Sequence, residues 1–361
     1  MSLKKVLFSF LIFCLATNNI QGTELVLNGD WETGINRKYT HYTSVPGIAT
    51  NDTQHPSAGS VWFRKEIKLP DGSWSNATLI LKSALYCPKI YIDGERTGDA
   101  TGGMMNNTFL LNHPNIRPGE KVAIEIELAS LNDVPHTDPA SPSQADLWRS
   151  CQASWIRDDV ILELHNELYI SKLIPFTSAD NQSVNIHWEI INSKQGCTPK
   201  KLKFEIIDQK EKTLLTETVN SETLNGSVFL DFNGKLQLWT PHDPNVYKIR
   251  LTAFGEKGIS QRKTINYSPK SFTISEDNSQ FLLNGNPCTL RGGSIVWNRF
   301  AREPEAKELI DDREWFYRAV IKPFKDHGAN FLRFHLYPPP EWALDLCDKH
   351  ELLVQLEVQY F

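Results

Sequence analysis

Apolar and polar residues alternate with a period near two along most of the first 267 residues of this chain. In the first zone this alternation predicts strands that end at Pro, Gly, Asn or Asp: SVWFRKEIKLP (60–70), ATLILKSA (77–84), PKIYIDGERTG (88–98), KVAIEIELA (121–129) and DVILELHNELYI (159–170). Asp93 and Gly94 stand between two strand-like pieces and predict a hairpin turn. No clear helical period occurs here. We therefore predict an all-β jelly-roll sandwich for residues 23–170.

The second zone, residues 171–268, continues the same alternation at regular spacing. The predicted strands are VNIHWEIIN (184–192), KLKFEIID (201–208), GSVFLDFN (226–233) and YKIRLTAF (247–254). A run of about 100 residues with this rhythm is typical of an immunoglobulin-like β-sandwich.

The period of the apolar residues changes in the third zone, residues 269–361. The pattern predicts a strand at 287–297, a helix at 311–328, a strand at 329–336, a helix at 339–351 and a strand at 352–358. Asp311 or Asp312 is expected to cap the first helix, Gly328 to end it and Pro323 to kink or break it. Strands that alternate with helices indicate parallel β-α-β units.

The first 22 residues have the features of a secretory signal peptide. Lys4 and Lys5 precede the apolar run VLFSFLIFCLA (6–16), and polar residues lead to an expected cleavage near Gly22. The run is shorter than the roughly 20 residues that a membrane-spanning helix needs. Cys14 raises the question of lipid attachment, although Phe13 is bulky where such sites carry a small residue. We expect a secreted or periplasmic protein without a membrane span.

Composition and charge exclude some classes of partner. The net charge of −5 and the pI of about 6.1 leave no dominant basic patch for nucleic acid or for an anionic membrane. After the signal peptide, the cysteines are scattered, odd in number and without Cys-x-x-Cys spacing. This pattern favours small buried side chains over a disulfide framework or a zinc site, although export is compatible with one or two bridges. Most of the aromatic residues are expected in the cores, and a few could stack on sugars.

Six stretches, in order along the chain, resemble motifs of glycoside hydrolase family 2, which includes β-galactosidases, β-glucuronidases and β-mannosidases. They are SVWFRKEIKLP, YIDGERTGDATGG, SWIRDDVILE, LWTPHDPNVYKIRL, FLLNGNPCTLRGG and HGANFLRFHLYPPPEWALDLCDKHELLV. The resemblance implies a jelly-roll sugar-binding domain, an immunoglobulin-like domain and a catalytic (β/α)8 TIM barrel. Residues 269–361 match only the first strands of such a barrel, which takes about 250 residues.

The resemblance also implies a retaining mechanism with two glutamates. The family carries its acid/base after an asparagine on the fourth barrel strand and its nucleophile on the seventh, so both are expected beyond residue 361. Asn166 and Glu167 are an Asn-Glu pair, but they do not match the family's acid/base. They end the first predicted domain and are expected on a strand surface. We expect no catalytic residue in this chain, and we see no complete set of metal ligands and no cofactor motif.

Residues of the third zone match supporting positions of the family's site. Arg333 matches an arginine that orients the nucleophile or contacts the sugar; a plain salt bridge is the alternative. His335 lies one residue before the family's histidine, whose position is occupied by Leu336, and this departure weakens any transfer of β-galactosidase specificity.

Five further residues are candidates for substrate binding. Asp158 and Asp159 match an aspartate that reaches the active site in some members, although the doubled aspartate leaves the register open and a turn charge is equally compatible. Glu357 matches an acidic residue on the third barrel strand. Trp297 and Asn298 stand where the family motif has histidine and its neighbours, and Trp297 either stacks on a sugar or packs.

Two classes of function remain open from the sequence. The first is an exported glycoside hydrolase of which this chain is the N-terminal fragment. The second is a non-catalytic carbohydrate-binding or scaffold protein built from the two sandwiches. In both, the expected partner is an oligosaccharide or polysaccharide glycan, and the sugar and linkage are not specified.

Overall fold

The computed structural model describes residues 23–48, 60–103, 105–129, 155–193, 196–295, 312–335 and 339–357. Within these ranges, no helix is long and apolar enough to cross a membrane. Three large groups of buried side chains define what we call the first sandwich, the second sandwich and the parallel-sheet unit.

The first sandwich consists of antiparallel strands around one core. Its strands are β1 (Thr23–Val26), β2 (Gly29–Ile35), β3 (Lys38–Val45), β4 (Gly47–Ile48), β5 (Val61–Lys68), β6 (Asn76–Leu81), β7 (Ala84–Leu85), β8 (Lys89–Ile92), β9 (Glu95–Asp99), β10 (Asn107–Leu111), β11 (Lys121–Leu128), β12 (Trp155–Ile156) and β13 (Val160–His165). The sheets have the orders β1-β13-β6-β10, β3-β2-β5-β11-β8-β9 and β4-β12-β7. Trp31 and Phe63 of the largest sheet meet Leu79 and Leu162 of the four-stranded sheet in this core.

The predicted hairpin turn at Asp93 and Gly94 is confirmed. The two residues have φ angles of +49° and +87° and join β8 to β9. Both central residues of a type I′ turn need positive φ, which is why Asp-Gly suits this position. The Asp93 carboxylate also accepts the backbone N–H of Ala123 at 2.8 Å, which anchors the turn to the neighbouring strand β11.

The second sandwich begins where the sequence predicted the end of a strand. Its strands are β14 (Leu168–Thr177), β15 (Ser183–Asn192), β16 (Lys201–Ile207), β17 (Thr213–Val219), β18 (Asn225–Asp231), β19 (Tyr247–Gly255) and β20 (Gly258–Tyr267), in sheets of order β14-β15-β18 and β17-β16-β19-β20. The segment 159–170, predicted as one strand, is divided after His165. The division has a topological cause, because β13 pairs with β6 of the first sandwich and β14 pairs with β15 of the second.

Within the described ranges, the helical segments all lie in the parallel-sheet unit. Its elements are β21 (Phe272–Ile274), β22 (Phe281–Leu283), β23 (Asn286–Cys288), β24 (Gly292–Ile295), α1 (Arg313–Phe316), a π-helical segment (Tyr317–Ile321), α2 (Lys322–Asp326), β25 (Phe331–Phe334), α3 (Glu341–Lys349) and β26 (Leu353–Leu356). Strands β21–β23 form an antiparallel sheet, and β24-β25-β26 pair in parallel. The predicted parallel β-α-β pattern is therefore present in the described residues.

The segment 287–297 was also predicted as one strand, and the structure divides it into two strands of different sheets. Residues up to Cys288 pair antiparallel with β22, whereas β24 starts at Gly292 and pairs in parallel with β25. A Cβ atom on Gly292 would lie 1.8 Å from the carbonyl oxygen of Phe331, so the close approach of the two strands requires glycine.

The first helical region follows its predicted signals. Asp312 caps α1, because its carboxylate accepts the backbone N–H of Trp315 at 2.8 Å. The π-helical segment lies directly before α2, which contains Pro323 near its start. The regular α-helical hydrogen bonding therefore gives way to a π-helical segment just before Pro323, and the kink or break at Pro323 stays a prediction. Gly328 follows the helix with φ +76°, as expected for a residue just past a C-cap.

Hydrogen bonds and an ion pair connect the second sandwich, and the segment that follows it, to the C-terminal half of α3. The fully buried Trp239 donates its indole Nε1–H to the backbone oxygen of Asp348 at 2.8 Å. The Lys270 ammonium lies 2.9 Å from the Asp348 carboxylate and 4.6 Å from the centre of the Trp239 ring. Asn266 donates to Asp345 at 3.0 Å on the same helix.

Candidate functional site

The carboxyl ends of β25 and β26 place His335 and Glu357 side by side. The backbone N–H of His335 donates to Ile295 of β24 at 2.9 Å, and that of Glu357 donates to Phe334 at 3.3 Å. The hydrogen-bond ladder thus continues one residue past each strand. In parallel sheets of α/β proteins, this edge is where ligand sites lie.

The side chains of three predicted site residues meet at this edge, and we call them the strand-end cluster: Arg333, His335 and Glu357. One carboxylate oxygen of Glu357 pairs with the Arg333 guanidinium, and the other contacts Nδ1 of His335. Arg333 and His335 lie two residues apart, so they share one face of the strand. The exposed side-chain fractions are 38% for Arg333, 36% for His335 and 20% for Glu357, so the cluster is accessible from solvent.

The two aspartates of the first sandwich belong to a second group. The Asp159 carboxylate accepts the side-chain N–H of Asn28 at 2.7 Å and lies 3.6 Å from Lys82 and 3.9 Å from Arg313. Asp158 is only 3% exposed, and its carboxylate accepts the backbone N–H of Asp159 at 2.7 Å. Burial raises the pKa of Asp158 to about 6, although that hydrogen bond and the nearby Lys82 act in the opposite direction.

Lys82 extends the second group to helix α3. Its ammonium lies 2.9 Å from the carboxylate of Glu341, the first residue of α3, and Asn106 donates to the same carboxylate at 3.1 Å. Burial alone would raise the pKa of Glu341, but the hydrogen bond and charge of Lys82 outweigh it, so the pKa is lowered. We call these contacts of Lys82, Asp159, Arg313 and Glu341 the interdomain network.

The interdomain network lies at the same edge of the parallel-sheet unit as the strand-end cluster. A helix that follows a strand starts near the carboxyl end of that strand, and α1 and α3 both contribute their first residue, Arg313 and Glu341. Trp297 and Asn298, the remaining predicted residues, lie outside the described residues.

Several residues of this region were missing from the sequence prediction. Lys82, Asn106 and Glu341 are polar surface-type residues in ordinary strand or helix context, and Asn106 and Glu341 lie 235 positions apart. The glutamate in the first turn of α3 is a common helix-start signal, but it carries no information about a partner in another domain.

Other candidate chemistry is limited in the described ranges. There, no cluster of three or more His, Cys, Asp or Glu side chains is arranged to hold a metal ion. Cys87, Cys197, Cys288 and Cys347 are free thiols. Cys347 is buried, as predicted, and burial raises the pKa of its thiol to about 12. Cys87, Cys197 and Cys288 are only half-buried, so the prediction of buried cysteine side chains holds for one of these four.

Comparison with known proteins finds relatives that are named as glycosidases. No family model matches the chain. It is 22% identical over 335 residues to a β-glucuronidase of Streptococcus agalactiae, covering 88% of this chain and 52% of that protein. It is 24% identical over 315 residues to a β-galactosidase of Thermoanaerobacter pseudethanolicus, covering 82% of this chain and 39% of that protein.

The solved structure of Bacteroides uniformis β-glucuronidase 2 superimposes with a TM-score of 0.72, at 20% identity, over 94% of this chain and 42% of that one. The matched part of that β-glucuronidase has the same fold. The chain spans about half, or less, of the length of these relatives.

Proposed function

We propose that this protein is a glycoside hydrolase of family 2 that cleaves O-glycosidic bonds in carbohydrates. The observation that carries the proposal is the strand-end cluster, in which residues 22 positions apart meet at the carboxyl edge of a parallel sheet. Active sites of TIM-barrel enzymes are built at this edge. The similarity to enzymes named β-glucuronidase and β-galactosidase supports the same reaction class.

The proposal includes an architecture. The first sandwich is a jelly-roll sugar-binding domain that ends with β13 at His165, and the second is an immunoglobulin-like domain that starts with β14 at Leu168. Strands β24–β26 are the first strands of a (β/α)8 barrel that begins near residue 269. The signal-peptide pattern in residues 1–22 supports export to the periplasm or the exterior.

The chemistry assigns supporting roles to this chain. A retaining glycosidase needs two carboxyl groups about 5–5.5 Å apart on either side of the scissile bond. Glu357 is already bonded to two cationic or polar partners, so it suits holding Arg333 and His335 in place better than attacking a sugar. Arg333, presented at the rim, can contact a substrate hydroxyl or carboxylate. The two catalytic glutamates belong to later barrel strands.

The test uses the complete reading frame, defined by sequencing the coding DNA beyond the Phe361 codon. The encoded protein is assayed with aryl β-glucuronides, aryl β-galactosides and aryl β-mannosides. We expect turnover of at least one class, and Arg333→Ala should lower kcat/KM by roughly 100-fold because substrate orientation is lost. Arg117→Ala is the matched control, since Arg117 is an exposed residue paired with Glu120 in the first sandwich. The absence of turnover with all three classes would overturn the proposal.

A further inference from the structure

A cavity of about 440 Å³ lies outside the strand-end cluster, between the second sandwich and the segment that leads to β21. Its lining includes Phe176, Asn266, Ser268, Lys270 and Phe272. A volume of this size is in the range of small-molecule sites. Nothing in the proposed catalytic chemistry uses these residues.

Two phenyl rings at the cavity are unusually accessible. Phe176 is 56% exposed and Phe272 is 46% exposed. Both rings are held by neighbours, since Phe176 makes an edge-to-face contact with His187 at 5.3 Å and Phe272 stacks on Phe281 at 5.4 Å. The two rings are therefore held in place before a ligand binds. Part of their apolar surface is exposed to water, and a bound ligand would cover it.

The polar groups of the lining have hydrogen-bonding capacity left. The Ser268 hydroxyl is buried and has no hydrogen-bond partner among the described residues. Such a group is costly unless something satisfies it, and a hydroxyl of a bound ligand would do so. Asn266 uses one side-chain N–H on Asp345, which leaves a second N–H and the amide oxygen for other partners.

A row of side chains extends the cavity across the outer face of the second sandwich. Phe176, Asn185 and Phe229 are direct neighbours on β14, β15 and β18, and Phe229 is 65% exposed. Two strand spacings separate the outer rings by roughly 10 Å. Asn185 between them contacts Nε2 of His187 at 3.0 Å, and its side-chain oxygen is buried without a partner in the described part of the chain.

The charge of the lining indicates a neutral ligand. Lys270 is the cationic residue of the cavity, and Asp348 already neutralises it at 2.9 Å. Exposed aromatic faces alternate here with uncharged hydroxyl and amide groups. Sugar rings present the complementary surface, because they carry apolar C–H faces and a rim of hydroxyls.

The cavity is also separate from the strand-end cluster. Lys270 and Asn266 contact the last turns of α3, whereas the carboxyl edge of the sheet lies near the first residue of that helix, Glu341. Nine residues of helix are about 13 Å long. A ligand could therefore occupy both places without steric conflict.

We infer that this cavity and the adjoining Phe176–Asn185–Phe229 row form an accessory binding site for a neutral oligosaccharide. The inference goes beyond the proposed function and does not depend on it. The site holds a glycan by stacking on the rings and by hydrogen bonds to Ser268, Asn266 and Asn185.

The test is a binding titration with the purified protein that the complete reading frame encodes. The probes are neutral tetrasaccharides of β-linked glucose, xylose, mannose and galactose, and binding is followed by calorimetry and by saturation-transfer NMR. We expect saturable binding of at least one probe. Phe176→Ala and Phe272→Ala should each weaken it roughly tenfold, which corresponds to about 1.4 kcal/mol of lost ring contact.

Two further variants distinguish binding at this cavity from binding elsewhere on the chain. Tyr42→Ala removes a 72% exposed ring from the first sandwich and should leave the affinity unchanged. Ser268→Ala removes the unpartnered buried hydroxyl, so it should weaken glycan binding without lowering the melting temperature of the free protein. No saturable binding, or equal binding by wild type and both phenylalanine variants, would overturn the inference. Aryl-glycoside turnover by the complete enzyme is a separate readout, so failure here leaves the proposed function standing.

Discussion

Lys82 of the first sandwich lies 2.9 Å from Glu341, the first residue of helix α3, and this pair joins the first sandwich to the parallel-sheet unit. The Lys82 side chain is 19% exposed, whereas that of Glu341 is 55% exposed. The hydrogen bond stabilises the ionised carboxylate, which is why the pKa of Glu341 is lowered even though burial acts against it.

Lys82→Met should therefore destabilise the protein in a pH-dependent way. Methionine retains the apolar stem and removes the charge, and we expect a loss of about 1 kcal/mol in the free energy of unfolding at pH 7. Because the folded-state pKa of Glu341 is depressed, this contribution is present above its ordinary pKa of 4.5 and is lost as the pH falls through the folded value. Urea unfolding at pH 7 and pH 3 measures the difference. Lys121→Met, which removes an exposed pair with Glu66, is the control; an equal loss at both pH values would contradict the prediction.

Asp158→Asn should stabilise the protein at neutral pH. Burial raises the folded pKa of Asp158 from 3.8 to about 6, so its protonated form favours folding. That contribution is fully present below pH 3.8 and disappears as the pH rises through 6. Asparagine stays neutral and retains an acceptor for the Asp159 N–H, so we expect a gain of about 2 kcal/mol above pH 6.5 and none near pH 4. Denaturant titrations between pH 4 and pH 6.5 measure the free energy of unfolding, and Asp231→Asn at an exposed position is the control. A gain in stability that does not change with pH would show that the raised pKa of Asp158 is not its cause.

Glu357→Gln should loosen the strand-end cluster. The change removes the anion that Arg333 and His335 share, and we expect a loss of about 1 kcal/mol in the free energy of unfolding. The matched control is Glu351→Gln, which breaks the Glu351–Lys325 pair at 2.7 Å on the same unit. A double-mutant cycle with Arg333→Gln should show coupling between Arg333 and Glu357. Fully additive effects would mean that the pair contributes nothing to stability.

Gly226→Ala should disturb the core of the second sandwich. Gly226 is the direct cross-strand neighbour of Trp188, and a Cβ atom at this position would lie 2.5 Å from the indole ring. Trp188 is 6% exposed and packs on Phe204, so it has little room to move, and we expect a loss of about 2 kcal/mol. Thermal melting compares it with Ser227→Ala, the adjacent exposed position. In a Trp188→Phe background, Gly226→Ala should destabilise the protein less, because the smaller ring leaves room for the Cβ atom. An unchanged loss of stability would mean that the clash with Trp188 is not the cause.

Strands could be predicted from the alternation of apolar and polar residues where one face of the strand is buried. The alternation in 184–192 follows the burial of β15, because the pleat sends successive side chains to opposite faces. In β11 the sequence alternates in the same way, but Glu125 and Glu127 on the polar face are buried as well. Strand β17 was missed because its residues are mostly exposed, so it has no apolar face to reveal it. The divisions within 159–170 and 287–297 were missed for a different reason. Both halves of each segment are strand-like, and only their partners show that they belong to different sheets.

Local sequence patterns were enough to predict most strands with a buried face, the Asp93–Gly94 turn, a helix cap at Asp311 or Asp312, and the order of β-rich and mixed zones. The sequence also indicated Arg333, His335 and Glu357 as candidates, through motif resemblance. Tertiary structure alone decided that Glu357 bridges the other two, that Lys82 reaches Glu341, and that Phe176 and Phe272 flank one cavity. The physical reason is that propensities and caps act over a few neighbouring residues, whereas these contacts join positions that only the folded chain brings together.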